Sequence, residues 1–271
     1  MIKDITIGQF FPGKSFIHKL DARIKIVLTG IILVMIFVCG NFYSLGLMSA
    51  FILFSFLLTR LSLRLILKSF KPLVLILVIT SLLQLYYVDK GEILFSWRKL
   101  SITSGGVYMM IFITVRILSL ILVSSLLTYT TSPTSLTYAI ESLLSPLKVF
   151  KVEVHTFAMM MTIALRFIPT LIEEIDRIMN AQKARGADFE TGSLVSRIKA
   201  LFPIFIPLFV SSFKRAFELA DAMSCRCYTG GKGRTRMKQQ KTGVRDLCAA
   251  AAVIVLSAAV IWLNAFFGRV V

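Results

Sequence analysis

Two arginines stand out by their surroundings. Arg185 closes the run Ala181-Gln182-Lys183-Ala184-Arg185-Gly186, and Arg226 sits in Ala222-Met223-Ser224-Cys225-Arg226-Cys227. Each follows an alanine by four residues, each is flanked by small side chains, and 41 residues separate them. A guanidinium is always charged and offers five donors in a rigid fork, which suits a socket on a partner. A basic residue in the last turn before a glycine is also an ordinary helix end, because cations favour the negative end of the helix dipole. The repeat at Arg226, on an arm of the same design, favours a paired role: two arms, each presenting one guanidinium.

The other chemistry-bearing residues form no recognisable catalytic set. Cys39, Cys225, Cys227 and Cys248 make no paired C-x-x-C framework, and with only His18 and His155 beside them no zinc site is expected. The two histidines have no ligand partners at sequence spacing, so solvated or capping roles are expected. Gly230-Gly231-Lys232-Gly233 looks like a phosphate loop but fails the pattern: Arg226 stands where the first glycine is needed, and Gly233 where Ser or Thr is needed. Arg116 lies inside an apolar run, where a charge is costly and marks function by default. Its structural alternatives are pairing with a carboxylate or carbonyl in the bundle, or facing a wet groove.

The elements that must position these residues are membrane helices. The 271 residues are 56% hydrophobic with a mean hydropathy of +0.80, too apolar for a soluble domain. Five spans are expected, at Ile24–Val38, Tyr43–Thr59, Pro72–Val88, Gly105–Tyr129 and Val244–Phe267, the first two paired as a tight hairpin and the first uncleaved. The net charge of +17 would suggest nucleic acid in a soluble chain, but its placement decides otherwise. The first 25 residues carry +3, the linker 60–71 carries +4 and the stretch 131–246 carries +7, whereas 89–99 carries only +1. The positive-inside rule then puts the N-terminus and the arms in the cytoplasm and the C-terminus outside.

The stretch between the fourth and fifth spans is too long for a loop and too apolar for a linker. Ser132-Pro133 starts a short amphipathic helix with Leu136, Ile140, Leu143, Leu144 and Leu147 on one face, ended or kinked by Pro146. The first arm begins near Val154, and Pro169 should kink it. Beyond the proline, Leu171, Ile175, Ile178 and Gln182 line one face and Glu173, Glu174, Arg177 and Lys183 the other. The second arm repeats this plan, with Pro203 and Pro207, a stripe of Phe209, Phe213, Ala216, Ala220 and Met223, and Lys214, Arg215, Glu218 and Asp221 opposite. The phenylalanine stripe and part of Met159–Met161 are expected to be core, and the basic run 232–241 to lie against anionic headgroups. The fold class is thus an all-α integral membrane protein, with about five transmembrane helices and a cytoplasmic-side coupling domain of one short and two long kinked helices. Its domains would be residues 1–130, 131–243 and 244–271.

Three features resemble the transmembrane T component of energy-coupling factor (ECF) transporters, the EcfT/CbiQ family of ABC-type importers. Gly8-Gln9-Phe10-Phe11-Pro12-Gly13-Lys14-Ser15 with His18-Lys19-Leu20-Asp21-Ala22-Arg23 is similar to its N-terminal segment. Ala184-Arg185-Gly186 matches its first Ala-Arg-Gly motif, and Cys225-Arg226-Cys227, after Ala222-Met223 and before Tyr228, stands where the second belongs. The resemblance implies a chain with no catalytic site and no cofactor of its own. Its two coupling helices would cross in an X, and Ala184, Arg185, Gly186, Cys225, Arg226 and Cys227 would dock into two cytoplasmic ATPase subunits that bind ATP and Mg²⁺. A membrane-embedded S component would supply the vitamin or transition-metal specificity. Cys-Arg-Cys in place of Ala-Arg-Gly removes the glycine that makes a left-handed helix stop easy, so the second helix is expected to run on toward Gly230-Gly231. Two other classes fit less well. A membrane hydrolase would need carboxylates or histidines within the spans, and a stand-alone secondary carrier would need duplicated halves with broken helices.

Overall fold

The computed structural model describes residues 10–62, 65, 70–87, 93–97, 100–151, 153–187, 189, 193–230 and 242–268. Within them the chain is helical apart from one short hairpin. The helices are α1 (Ala22–Val38), α2 (Phe42–Thr59), α3 (Val74–Tyr87), α4 (Ser104–Thr130), α5 (Pro133–Leu143), α6 (Val154–Ala184), α7 (Leu194–Cys225) and α8 (Val244–Phe267). Strands β1 (Ile93–Trp97) and β2 (Leu100–Thr103) pair antiparallel, with Ile93 opposite Thr103 and Trp97 opposite Leu100. This hairpin lies between α3 and α4. The all-α class stands.

The expected spans fall within two residues of the observed helices, but two expectations change. Among the described residues, five helices of 18 residues or more are apolar enough to cross a membrane: α2, α4, α6, α7 and α8. The set includes both arms. Two of the expected spans are shorter: α1, whose 17 residues rise about 25 Å, at the lower limit of spanning length, and α3, whose 14 residues rise about 21 Å and which extends an apolar run from Lys71. The tight hairpin is corrected as well. Cys39–Asn41 joins α1 to α2 in a short turn, yet the two helices hardly touch along their lengths, because α4 and α8 each pack against both. The core is Met35, Ile36, Leu45, Met48, Ile52, Phe56, Phe112, Leu122, Val123, Leu256 and Val260. Away from the turn the four helices leave an apolar cavity of about 220 Å³, lined by residues such as Leu28, Ile32, Phe51, Leu126 and Ala252.

The chain divides into two compact units. Ile7–Ala139 with Gln239–Val271 contains α1 to α4 and α8; Ile140–Lys238 contains the two arms. In the first unit α3 packs on α4, with Ser81 and Thr114 hydroxyls 3.1 Å apart, and presents Leu75, Ile79 and Leu82 outward, as lipid contact allows. Ser132 caps α5: its Oγ accepts from the Ser135 N–H and its carbonyl from the Leu136 N–H. The helix ends at Leu143 and a 3-10 turn carries Pro146, as expected. In the second unit α6 and α7 pack on each other. Both run unbroken through Pro169, Pro203 and Pro207. The basic run 232–241 and the segment 8–9 lie outside the described residues.

Candidate coupling site

Both arginine tips are built the same way. At the end of α6, the Gly186 N–H donates to Lys183 O (3.0 Å) and the Ala187 N–H to Gln182 O (3.0 Å). At the end of α7, the Cys227 N–H donates to Ser224 O (2.9 Å) and the Tyr228 N–H to Met223 O (3.0 Å). These are the paired bonds of a Schellman stop, and they repeat with the 41-residue offset of the sequence motif. Gly186 sits at φ 88°, and Cys227 takes the left-handed conformation too, at φ 55°. The expected run-on toward Gly230-Gly231 is therefore corrected: α7 stops at Cys225. The two bonds of the stop offset the left-handed backbone of a non-glycine residue, which costs about 1–2 kcal/mol.

Ala184, Arg185, Gly186, Cys225, Arg226 and Cys227 are all exposed. Neither guanidinium has an ion pair or hydrogen bond among the described residues, and both thiols are free. Behind the tips, the Arg215 guanidinium on α7 donates to Glu174 Oε2 on α6 at 2.9 Å. At the base, His155 Nδ1 lies 3.2 Å from Glu141 Oε1, which is a partner the sequence spacing did not reveal. The phenylalanine stripe is not core. Phe209 and Phe213 are 65% and 50% exposed, as are their neighbours Phe202, Phe205 and Phe217 to similar degrees. An unpartnered apolar stripe of this length on a helix is a contact surface for lipid or another chain.

Comparisons with known proteins give the family. The cobalt transport protein family, CbiQ, matches residues 13–237. The energy-coupling factor transporter transmembrane protein EcfT of Ruminiclostridium cellulolyticum is 46% identical over 267 residues, covering 98% of this chain and all of its own. The EcfT of Acidaminococcus fermentans is 48% identical over 256 residues, 94% of this chain and 95% of its own, and that of Bacillus subtilis 41% over 265 residues, 98% and 100%. The chain belongs to the EcfT/CbiQ family. It is a T component of an ECF transporter and a multi-pass membrane protein.

In this T component the N-terminal motif has a structural explanation. The Phe11 N–H donates to Tyr129 O (3.0 Å) and the Phe11 ring meets Tyr129 edge-on. His18 Nε2 lies 3.0 Å from Phe11 O, which can only accept, so the ring is protonated there and Nδ1, 2.6 Å from Ser15 Oγ, accepts the hydroxyl proton. Gly13 packs under that ring; a Cβ on it would stand 2.6 Å from the imidazole. His18 is thus half-buried and held by two hydrogen bonds rather than freely solvated or capping a helix. Burial pushes its pKa below the ordinary value, the Phe11 carbonyl opposes this, and Lys25 adds to it.

Next to this clasp lies a buried polar knot. Asp21 caps α1, accepting from the Arg23 N–H, and its own N–H donates to Asp246 Oδ1 at 2.8 Å. Asp246 also accepts from the Gly243 N–H, and Lys25 Nζ donates to Thr130 O at 2.9 Å. Sequence reasoning missed Lys25 and Asp246. An acid in the first turn of α8 was visible, but its partner lies 225 residues away. Arg116 is likewise placed: its Nη2 donates to Cys39 O at the end of α1, and its guanidinium lies 4.7 Å over the Phe112 ring. The carbonyl alternative weighed for it is the one observed.

Proposed function

We propose that this T component is a non-catalytic coupling subunit. It would pass ATP-driven motion of two cytoplasmic ABC ATPase subunits to a membrane-embedded S component, for uptake of a vitamin or transition-metal ion. The observation that carries this reading is the pair of exposed arginines, unengaged among the described residues, on helix stops with the same pair of bonds at the ends of two mutually packed arms. Arg185 and Arg226 are the docking groups, and Ala184, Gly186, Cys225 and Cys227 leave room for a groove to close around each. ATP and Mg²⁺ belong to the ATPase partners. The exposed phenylalanine stripe of α7 supports a second, apolar partner such as an S component. The charge asymmetry supports a cytoplasmic face for the arms.

Co-purification in detergent tests it. Truncating or reversing one half of a desolvated charge contact costs 2–5 kcal/mol, so Arg185→Glu or Arg226→Glu should cut retention of the ATPase subunits about tenfold or more. If both reversals leave the complex and its transport intact, the tips are not the docking groups.

A further inference from the structure

The two arms are alike in backbone and inverted in charge at three matched positions. Aligned on their tip arginines, Glu173, Glu174 and Arg177 of α6 fall on Lys214, Arg215 and Glu218 of α7. Each pair is separated by the same 41 residues as the tips, and at all three positions the sign is inverted. One of these pairs is in contact: Arg215 Nη2 to Glu174 Oε2, 2.9 Å, with side chains 29% and 19% exposed. It lies 11 residues before Arg185 on one arm and 11 before Arg226 on the other, about 16 Å along each helix.

We infer that Glu174–Arg215 is the pivot at which the arms cross, and that the charge inversion around it fixes which turn of α6 meets which turn of α7. The physical argument has three steps. Two arms of the same plan that cross at equivalent positions bring equivalent residues together. Like charges there would repel, whereas inverted charges attract, and only in the register that matches them. A single exposed ion pair contributes little; this one is mostly buried between two helices that are otherwise largely exposed, so among the described residues it is a contact able to set their register. A crossing equidistant from both tips makes the arms equal levers, so displacement of one tip is matched by the other. This rests on the reading that the tips dock the ATPases, and Glu174 and Arg215 are positioning residues.

A charge-swap cycle in the assembled transporter tests it. The single variants Glu174→Arg and Arg215→Glu should still co-purify with the ATPase subunits, since the tips are untouched, but lose ATP-driven uptake about tenfold. The double variant carrying both should recover uptake to within about threefold. Singles that transport normally, or a double no better than the singles, would overturn the pivot. If a single variant fails to assemble, Glu174→Gln and Arg215→Gln supply the milder test: uptake per ATP hydrolysed should fall while the melting temperature holds, and equal loss of both would make the pair merely structural and overturn the proposal. Should the tip reversals leave docking intact, the swap's rescue still reports the register, so the two readings fail separately.

Discussion

Cys227 stands where the first tip has Gly186, and its backbone takes the same left-handed conformation. At φ 55° its Cβ crowds the following carbonyl, and only the two bonds of the helix stop hold it there. Cys227→Gly should therefore stabilise the tip by about 0.5–1 kcal/mol, part of the gain being returned to the freer unfolded chain. Hydrogen exchange of the Tyr228 amide, which donates to Met223 O, should slow by about threefold in that variant and quicken in Cys227→Val. No change in either would mean that the stop is not strained. His18 gives a pH-dependent case. Its folded pKa is depressed below 6.5 mainly by burial, so the neutral ring is the folded form. The stability it contributes is present above 6.5 and is lost as pH falls through the lower folded value. Melting of the solubilised protein should drop below about pH 6.5, and His18→Gln should flatten that drop. Gly13→Ala, which forces a Cβ into the imidazole, should abolish the same pH dependence.

Among the elements, the helices were legible because each is a long apolar run bounded by caps or charges. Ser132, Asp21 and Thr103 are side-chain caps that a reader of the sequence can find. What was illegible was partnership. Cys39-Gly40-Asn41 reads as a hairpin turn, and nothing local says that α4 and α8 will come between its two arms. Asn264 on α8 accepts from the Gly40 N–H and donates to Val38 O, while Asn41 donates to Leu263 O. These bonds join residues more than 220 positions apart. Periodicity also misjudged the phenylalanine stripe, since a stripe shows which face is apolar and not whether protein, lipid or a partner covers it. Arg116 belongs to the same turn. It closes the end of α1 through Cys39 O, so Arg116→Met should leave a carbonyl unsatisfied and cost about 1–3 kcal/mol in thermal stability. ATPase retention and uptake by the folded fraction should be unchanged; loss of uptake without loss of stability would instead give Arg116 a role in transport.

For the whole molecule the open quantity is which side of the membrane each tip faces. The arms are long and apolar enough to cross, as α6 and α7, yet they share the basic excess of the N-terminal segment and the 60–71 linker, which the proposed reading puts in the cytoplasm. Adding the two arms to the five expected spans gives seven, and either count leaves the C-terminus opposite the N-terminus. The C-terminus therefore cannot decide between them. The tips can. If the arms cross, Arg185 is carried to the outer face and Arg226 returns to the inner one; if they do not, both stay inside. The link 183–199 carries four basic and two acidic residues, an excess that resists translocation. The two helix stops also make the same pair of bonds, as two equivalent docking groups would and as two tips on opposite faces need not. Thiol labelling of intact cells resolves it, using Gly186→Cys in a chain whose other cysteines are replaced, beside one retaining only Cys225. Both should be shielded from an impermeant reagent and both should react once the membrane is opened. A label reaching position 186 from outside while Cys225 stays protected would put the arms through the bilayer and end the two-lever reading.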